Sequence, residues 1–566
     1  MTPPTASQRF RAARDFLLSA ATDYPRANAS FGWPELADFN WALDWFDAVL
    51  AVEHAGDRAL WIVGPAGEQS WTFAQLAARS SQVANWLREQ GVERGDRVLV
   101  QLGNQVELWE TLLALMKLGA VAVPTSPLLE PEEVAERVLR ADVRHLIVRS
   151  DGTARLAKVP GSFTRMAVGA PTPGWAPYAN ANLAPTALTV DTPTPAGDPL
   201  LILFTPGTTG RPKAIVHSHV SYPVGHLTTM YWVGLRPGDV HLSVSSPGWA
   251  KHLCGNVFAP WNAAATVLVY AVPRPSPGAL LELLGRCGVT TMCAPPLAWR
   301  TLAGREDLAD WRPTLSRLRD LVTVSEPLSP QVVDQIRRSW GLTVREGYGQ
   351  SEMTALLGHT PEQSVTLGSM GRALPGCPVV LLDPATGRRA APGQEGELCL
   401  DRRRHPLALM SGYLDDSEPP RSDRYYRTGD VAVADERGFY RYIGRVDDVF
   451  HTADHRISPV ELEGVLAEHE AVGDAAVVPT SPGVPKAYVD LAAGYPADSE
   501  TARAILRYAD AHLLPYQRVL RLEFGPLPRT VSGKVRRRVL RDRELARTGT
   551  TRHPTEFRAE DFPELL

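Results

Sequence analysis

Lysine is nearly missing from this chain. Of 59 basic residues among 566, six are lysines and 53 are arginines. Lysine presents a compact point charge on a flexible stem, and arginine a rigid planar fork. Where arginine is the default cation, a retained lysine marks a place that needs a compact ammonium. Lys213 and Lys534, far apart in the chain, each end a Gly/Ser/Thr-rich stretch. Together they predict a phosphate site closed from two distant parts of the sequence. Cysteine is scarce as well. Cys254, Cys287, Cys293, Cys377 and Cys399 show no CxxC spacing and are odd in number. That excludes a disulfide framework and reads as free, buried thiols in a reducing cytoplasm. A basic excess is absent, since the net charge of −4 leaves no footprint for nucleic acid. No apolar run approaches the roughly 18 residues of a spanning helix, and no charged-then-apolar leader opens the chain. Neither a nucleic-acid nor a membrane partner is expected. The basic run Arg536-Arg537-Arg538 reads as a solvated helix face.

The length exceeds what one core organises, so at least two domains are expected. From about Ala59 to Val148 strand-like and helix-like patterns alternate: Arg97–Gln101, Glu107–Leu118, Val121–Val123, Pro131–Leu139. That rhythm predicts a largely parallel sheet. Ala170–Gly197, rich in Pro, Ala and Thr, reads as a long surface connection. A second series follows, with strands at Leu200–Phe204, His241–Val244, Thr266–Tyr270, Thr290–Cys293 and Leu318–Val324. Val365–Tyr442 carries strands without long helices. Beyond it the pattern is compact and mixed, with helices at Val460–Glu468 and Thr501–Leu513. The expected fold class is α/β. A large N-terminal domain, residues 1–446, holds two α/β subdomains and a β-rich one, and a small α+β C-terminal domain spans 447–566.

Leu200–Phe204 leads into Thr205-Pro206-Gly207-Thr208-Thr209-Gly210-Arg211-Pro212-Lys213. Glycines let backbone N–H groups approach phosphate oxygens, and threonine hydroxyls add donors. The Walker pattern needs Lys directly after Gly and a helix behind it. Here Pro212 precedes Lys213 and Ala214–Val216 is extended, so this is a different phosphate loop.

With that loop the chain resembles the adenylate-forming superfamily of acyl-CoA synthetases, peptide-synthetase adenylation domains and beetle luciferases. The likeness runs nearly the whole length. It is nearest the medium-chain acyl-CoA synthetases, through Phe39-Asn40-Trp41-Ala42-Leu43-Asp44, Gly248-Trp249-Ala250-Lys251 and Leu527-Pro528-Arg529-Thr530-Val531-Ser532-Gly533-Lys534. Pro206 stands where the family usually has serine. The resemblance implies a nucleotide-binding main domain and a mobile C-terminal lid hinged at Asp447. It also implies ATP and Mg²⁺ as cofactors.

The remaining contacts follow motif by motif. Glu346-Gly347-Tyr348-Gly349-Gln350-Ser351-Glu352 offers a ring for the base at Tyr348, a hydroxyl for phosphate at Ser351 and a carboxylate for Mg²⁺ at Glu352. Ser325-Glu326-Pro327 resembles the stretch that lines adenine, with Ser325 in place of a glycine. Asp430, in Tyr426-Arg427-Thr428-Gly429-Asp430, resembles the ribose ligand, and Arg445 adds a second contact.

The implied reaction begins with a carboxylate attacking the α-phosphate of ATP. Both reactants are anionic, so cations and positioning carry the catalysis. Lys534 is the expected central cation, with Lys213 and Glu352 serving the leaving pyrophosphate. In the family the lid then turns and the segment Phe450–Ile457 admits CoA; Arg456 within it is a further cofactor candidate. Asp454 replaces the glycine expected there, adding bulk and negative charge. Two readings follow: a complete acyl-CoA ligase, or an adenylating enzyme that hands its acyl-AMP to a partner enzyme or carrier thiol. An inactive nucleotide-binding scaffold is a third. The partner is a small carboxylic acid, and a homodimer is compatible with all three. Gly349, where acetate-specific relatives carry tryptophan, predicts an acid larger than acetate. Trp249, Ala264 and Gly347 are expected pocket walls.

Overall fold

The computed structural model describes residues 3–205, 212–272, 275–361, 363–415, 423–452, 455–480, 483–530, 535–547 and 552–565. They fall into two compact units. The larger comprises Met1–Leu328, Val332–Pro378 and Asp401–Arg424, and the smaller Ser329–Gln331, Val379–Leu400 and Tyr425–Leu566.

The larger unit is built on two mixed sheets. In the first, parallel neighbours run in the order Val344–Gly349, Asp320–Thr323, Thr291–Cys293, Val240–Ser243, Thr266–Tyr270, Arg58–Gly64. Antiparallel strands flank both sides. In the second, Pro199–Thr205, Val121–Pro124, Arg97–Gln101, His145–Arg149 and Thr164–Val168 run parallel. Lys213–Ser218 and Gly412–Tyr413 extend that sheet antiparallel. Val121–Pro124 and Thr291–Cys293, within the two sheets, are buried along their whole length, as parallel strands covered on both faces are.

Three expectations change. Arg58–Gly64 belongs with Thr266–Tyr270 in the first sheet, not with the Arg97–Val148 series. A hydrophobic run does not name its neighbour; packing chooses it. Ala170–Gly197 is not bare connection, because Tyr178 is buried and its hydroxyl lies 3.0 Å from Thr111 Oγ1. Cys254 and Cys377 are half-buried, while Cys287, Cys293 and Cys399 are buried; all five are free.

Phe39–Asp44 opens a π-helix, Trp41–Leu50. Asn40 caps it, accepting from the Leu43 N–H at 3.3 Å. Trp41 Nε1 donates to Asn262 Oδ1 at 2.8 Å and Trp45 Nε1 to Trp261 O at 3.1 Å. These bonds hold the end of the helical stretch that starts after Trp249.

The smaller unit contains a four-stranded sheet of Val379–Leu382, Glu395–Asp401, Tyr425–Ala434 and Tyr440–Arg445. A short hairpin follows, Phe450–Thr452 with His455–Ile457. A second four-stranded sheet, Val472–Thr480, Val484–Leu491, Arg521–Phe524 and Glu556–Arg558, packs with helices Pro459–Leu466 and Ser499–His512 around a buried apolar cluster. Asp447 falls inside this unit, so the β-rich strands before it group with the C-terminal sheet. The architecture is mixed α/β with a large N-terminal part and a smaller C-terminal one.

Two retained lysines are structural. Lys486 Nζ is fully buried among Glu523, Glu544 and Glu556 at 2.7, 3.0 and 2.9 Å. Lys117 is equally buried against Asp47 at 2.7 Å.

Candidate active site

In open α/β sheets, ligands bind outside the carboxyl ends of the strands. Most of the expected site residues of the larger unit lie there. Thr205 ends one strand and pairs in register with Lys213, which begins the next. The two strands are antiparallel neighbours. Gly207, Thr208, Thr209 and Gly210, between them in sequence, lie outside the described residues.

Lys213 Nζ is 3.3 Å from the Tyr413 hydroxyl and 5.0 Å from the centre of its ring. The same hydroxyl donates to Glu352 Oε1 at 3.0 Å. One tyrosine thus joins the two expected groups on the phosphate side. Gly412–Tyr413 pairs with Ile215 and Val216, and the Met410 N–H donates to Glu352 O at 2.8 Å. Tyr413 carried no local signal in the sequence; only strand pairing places it here.

Ser351 O accepts from His217 Nε2 at 2.8 Å, and His217 Nδ1 lies 3.0 Å from Ser221 Oγ. Burial pulls His217 down to about 4, against the pull of the Ser351 carbonyl, so the ring is neutral. Tyr348 and Gln350 are half-buried. Glu346 is buried at the start of the motif, and burial pushes its carboxyl up to about 8.

Two pocket expectations meet side chains and backbone that the sequence did not announce. Gly347 pairs with Gly358 across two antiparallel strands. A Cβ on Gly347 would come 2.4 Å from the Trp232 indole, and one on Gly358 2.2 Å from it. Trp232 fills the space beside Gly347 that was expected to bound a pocket. At Gly349 a Cβ would come 2.4 Å from the Thr354 carbonyl oxygen. The missing side chain there leaves no void; backbone occupies it. Glycine is required by that close approach.

Ser325, Glu326 and Pro327 follow the strand Asp320–Thr323. Ser325 has φ +99°, where glycine rests freely and serine does not. Its side chain is exposed. The cost of replacing glycine lies in the backbone.

Trp249 is half-buried just beyond Val240–Ser243. Gly248, at φ +86°, presses on the other sheet; a Cβ would come 2.2 Å from Ser126 N. Tyr222 donates to Ala250 O at 2.8 Å, and His252 Nε2 lies 3.0 Å from Asn104 Oδ1. The segment is thereby tied to the ends of both sheets. Ala264 does not join it. It precedes Thr266–Tyr270, and its carbonyl accepts from Gly238 N–H ahead of Val240–Ser243, at the opposite strand end. A four-residue strand spans roughly 13 Å, so Ala264 is no wall of a pocket at Trp249.

In the smaller unit Asp430 and Arg445 face each other in register. Asp430 Oδ1 accepts from Arg445 Nη1 and from the Tyr442 hydroxyl, each at 3.2 Å. Gly429, at φ +74°, leaves room for the guanidinium; a Cβ would come 2.8 Å from Arg445 Nη2. Asp447 is exposed, and its carbonyl accepts from Arg541 at 2.6 Å. Lys534 and Asp454 lie outside the described residues, as does the Arg456 side chain. Around Lys534, Arg529 bridges to Val535 and the Arg536 N–H donates to Pro528 O at 2.7 Å. The expected solvated face is interrupted at Arg537, which turns inward onto Glu463 at 2.8 Å.

Two sheets with their carboxyl-end loops tied together, and a separate unit carrying a carboxylate–arginine pair, are the build of an acid-activating, AMP-forming ligase. The chain belongs to the AMP-binding enzyme family, which it matches over residues 49–414, and it matches the AMP-binding enzyme C-terminal domain over 461–534. It is 35% identical over 531 residues to 4-hydroxybutyrate–CoA ligase 1 of Metallosphaera sedula, covering 91% of this chain and 92% of that protein. It is 33% identical to the mitochondrial acyl-coenzyme A synthetase ACSM5 of Mus musculus, covering 90% and 91%. The fold is similar to the anthranilate CoA ligase AuaEII, solved with anthranoyl-AMP, at a TM-score of 0.82 and 25% identity over 90% of this chain and 98% of that one. The chain is an AMP-forming acid–thiol ligase. Among the described residues no helix is long and apolar enough to cross a membrane.

Proposed function

We propose that this enzyme activates a carboxylic acid larger than acetate, a reading supported by its similarity to a 4-hydroxybutyrate–CoA ligase rather than by space at Gly349. The acid's carboxylate oxygen attacks the α-phosphorus of ATP, the bond to the bridging oxygen breaks, and pyrophosphate leaves. The CoA thiol, losing its proton, then attacks the acyl carbon and AMP departs. The observation that carries the reading is the row Lys213–Tyr413–Glu352, an ammonium and a carboxylate held by one hydroxyl at the strand ends.

In this reading Lys213 and the loop from Thr205 take the β- and γ-phosphates, and Ser351 adds a hydroxyl. Tyr348, Glu326 and Pro327 hold the base. Asp430 and Arg445 take the ribose hydroxyls, and Lys534 neutralises the oxygens on which charge grows in the transition state. Asp447 is the hinge that exchanges Lys534 for the Phe450–Ile457 hairpin before the CoA step. Trp249 bounds the acyl group.

A lone half-buried carboxylate, with one oxygen already accepting from Tyr413, suits Mg²⁺ bound chiefly through phosphates. Among the described residues no cluster of three ligands would hold a free metal ion. Glu352 would hold Mg²⁺, which when bound with ATP neutralises the departing pyrophosphate. Five free thiols support a reducing compartment.

The test is pyrophosphate release across a panel of carboxylic acids, with and without CoA. Acid-dependent release, with thioester formed when CoA is added, is the expected result. Release that ignores the acid would overturn the reading.

A further inference from the structure

The helix Pro131–Arg140 packs on the strand that leads to the phosphate loop. Val134 and Val138 sink its apolar face into a core shared with Phe204 and Ala214. Arg137 and Arg140, three residues apart, fall on one side of the helix. Each guanidinium stands 5.2 Å from the centre of the Phe204 ring. Arg140 is the last helical residue, and its side chain is buried. One arm, Nη1, donates to the Pro212 carbonyl at 2.7 Å and to Glu136 Oε1 at 3.2 Å. The other arm, Nη2, donates to the Asp415 carboxylate.

Those two acceptors flank the Lys213–Tyr413–Glu352 row. Pro212 immediately precedes Lys213, and Asp415 follows Tyr413 by two residues. Gly412–Tyr413 is an edge strand of two residues, paired with Val216 and Ile215. Beyond it the Leu414 N–H donates to Ala214 O at 2.8 Å. Few ladder bonds fix an edge strand so short, and its spacing needs support from outside the sheet. The rigid fork of Arg140 spans both strand ends, which a single ammonium point does not. Stability is a poor reason for the group to be there. Its Nε is buried with no partner among the described residues. Replacing buried ion pairs by well-packed apolar side chains is often neutral or stabilising.

We propose that Arg140 is a positioning residue for adenylate formation. It sets the distance between Lys213 Nζ and the Tyr413 hydroxyl, and through that hydroxyl the placement of Glu352. The proposal rests on the reading of that row as the phosphate side of the centre, and deepens it. Arg140 touches no reacting atom in this role, and no bond to it is made or broken. It acts where pyrophosphate leaves and has no part in the attack of the CoA thiol.

The test uses the full chain and measures the two half-reactions separately: acid-dependent pyrophosphate release, and thioester formation from synthetic acyl-AMP and CoA. Arg140→Met should lower kcat/KM for ATP in the first about 10- to 100-fold, the scale of loss for a displacement near 1 Å. KM for the acid and the rate of the second half-reaction should stay unchanged. Arg140→Lys keeps the charge but reaches one acceptor, so it should recover only part. Asp415 is half-exposed, so Asp415→Ala removes one acceptor without opening the core, and it decides the matter if Arg140→Met fails to fold. It should slow pyrophosphate release and leave thioester formation alone; Asp415→Asn, which keeps an acceptor oxygen, should retain most of the rate. In a Tyr413→Phe background Arg140→Met should cost less than it does alone, because the hydroxyl it positions is gone. An equal fall in both half-reactions would mark a merely structural arginine. Unchanged rates, or full additivity with Tyr413→Phe, would also overturn the positioning role and leave acid activation standing. Pyrophosphate release from the parent protein that ignores the acid would overturn the function itself.

Discussion

Tyr413 donates its hydroxyl proton to Glu352 Oε1 across 3.0 Å, and the same oxygen stands 3.3 Å from Lys213 Nζ. Lys213 and Tyr413 come from adjacent strands of one sheet, and Glu352 from the turn after Val344–Gly349 in the other. The hydroxyl bonds two charged groups, a contact worth about 1.5–3 kcal/mol. Tyr413→Phe should therefore lower kcat/KM for pyrophosphate release roughly 10- to 100-fold while leaving the melting temperature nearly unchanged. An unaltered rate would remove Tyr413 from the centre.

Lys534 is assigned to the first half-reaction alone. Lys534→Ala should cost about 10²–10³ in acid-dependent pyrophosphate release, the usual price of one preorganised charge-stabilising group. Thioester formation from synthetic acyl-AMP and CoA should persist. Loss of both steps together would contradict the division of labour across the Asp447 hinge.

Trp232 lies across the Gly347–Gly358 pair. Gly358→Ala puts a methyl 2.2 Å from the indole and should destabilise the fold by about 1–3 kcal/mol. Trp232→Phe in the same background should return part of that, because the smaller ring yields the space. Chemical denaturation of the four proteins in the cycle measures the coupling, and strict additivity would speak against the contact.

At Ser325 the backbone adopts φ +99°. Ser325→Gly should raise stability by about 1 kcal/mol, since glycine enters this region without strain. The gain is read as a higher melting temperature, with the KM for ATP held or lowered. A drop in melting temperature would show that the serine is unstrained.

Burial lifts the Glu346 carboxyl to about 8 from an ordinary 4.5. The folded protein then holds a proton between pH 4.5 and 8 that the unfolded chain has released, so stability falls as pH rises through that window. The slope is at most roughly 1.4 kcal/mol per pH unit. Glu346→Gln removes this component. Unfolding of parent and variant at pH 5, 6.5 and 8 should show the variant gaining relative stability with each step. Parallel curves would place the carboxyl in water-like surroundings.

The α/β class, most strand positions and the order of the motifs were legible in the amino-acid sequence. Alternating periodicity and turn chemistry are local, so Arg97–Gln101 and Thr266–Tyr270 declared themselves within five residues. Asp430 and Arg445 were named from their motifs as contacts to one ribose, and strand register then set them against each other. Other features depended on contacts between segments remote in sequence. Arg58–Gly64 reads as a strand alone, but only packing assigns it to the Thr266–Tyr270 edge. Gly349 promised open space, which the Thr354 backbone fills, and Trp232 stands against Gly347, which was expected to wall a pocket. Ala264 looked like a neighbour of Trp249 and stands at the other end of the sheet. Sequence by itself determined which residues are there to bind and react, because residue type and short-range spacing carry that chemistry. Tertiary structure alone decided which of them meet, as Tyr413 does between Lys213 and Glu352. Strand register and the choice of neighbours come from the packing of whole faces, which no single segment encodes.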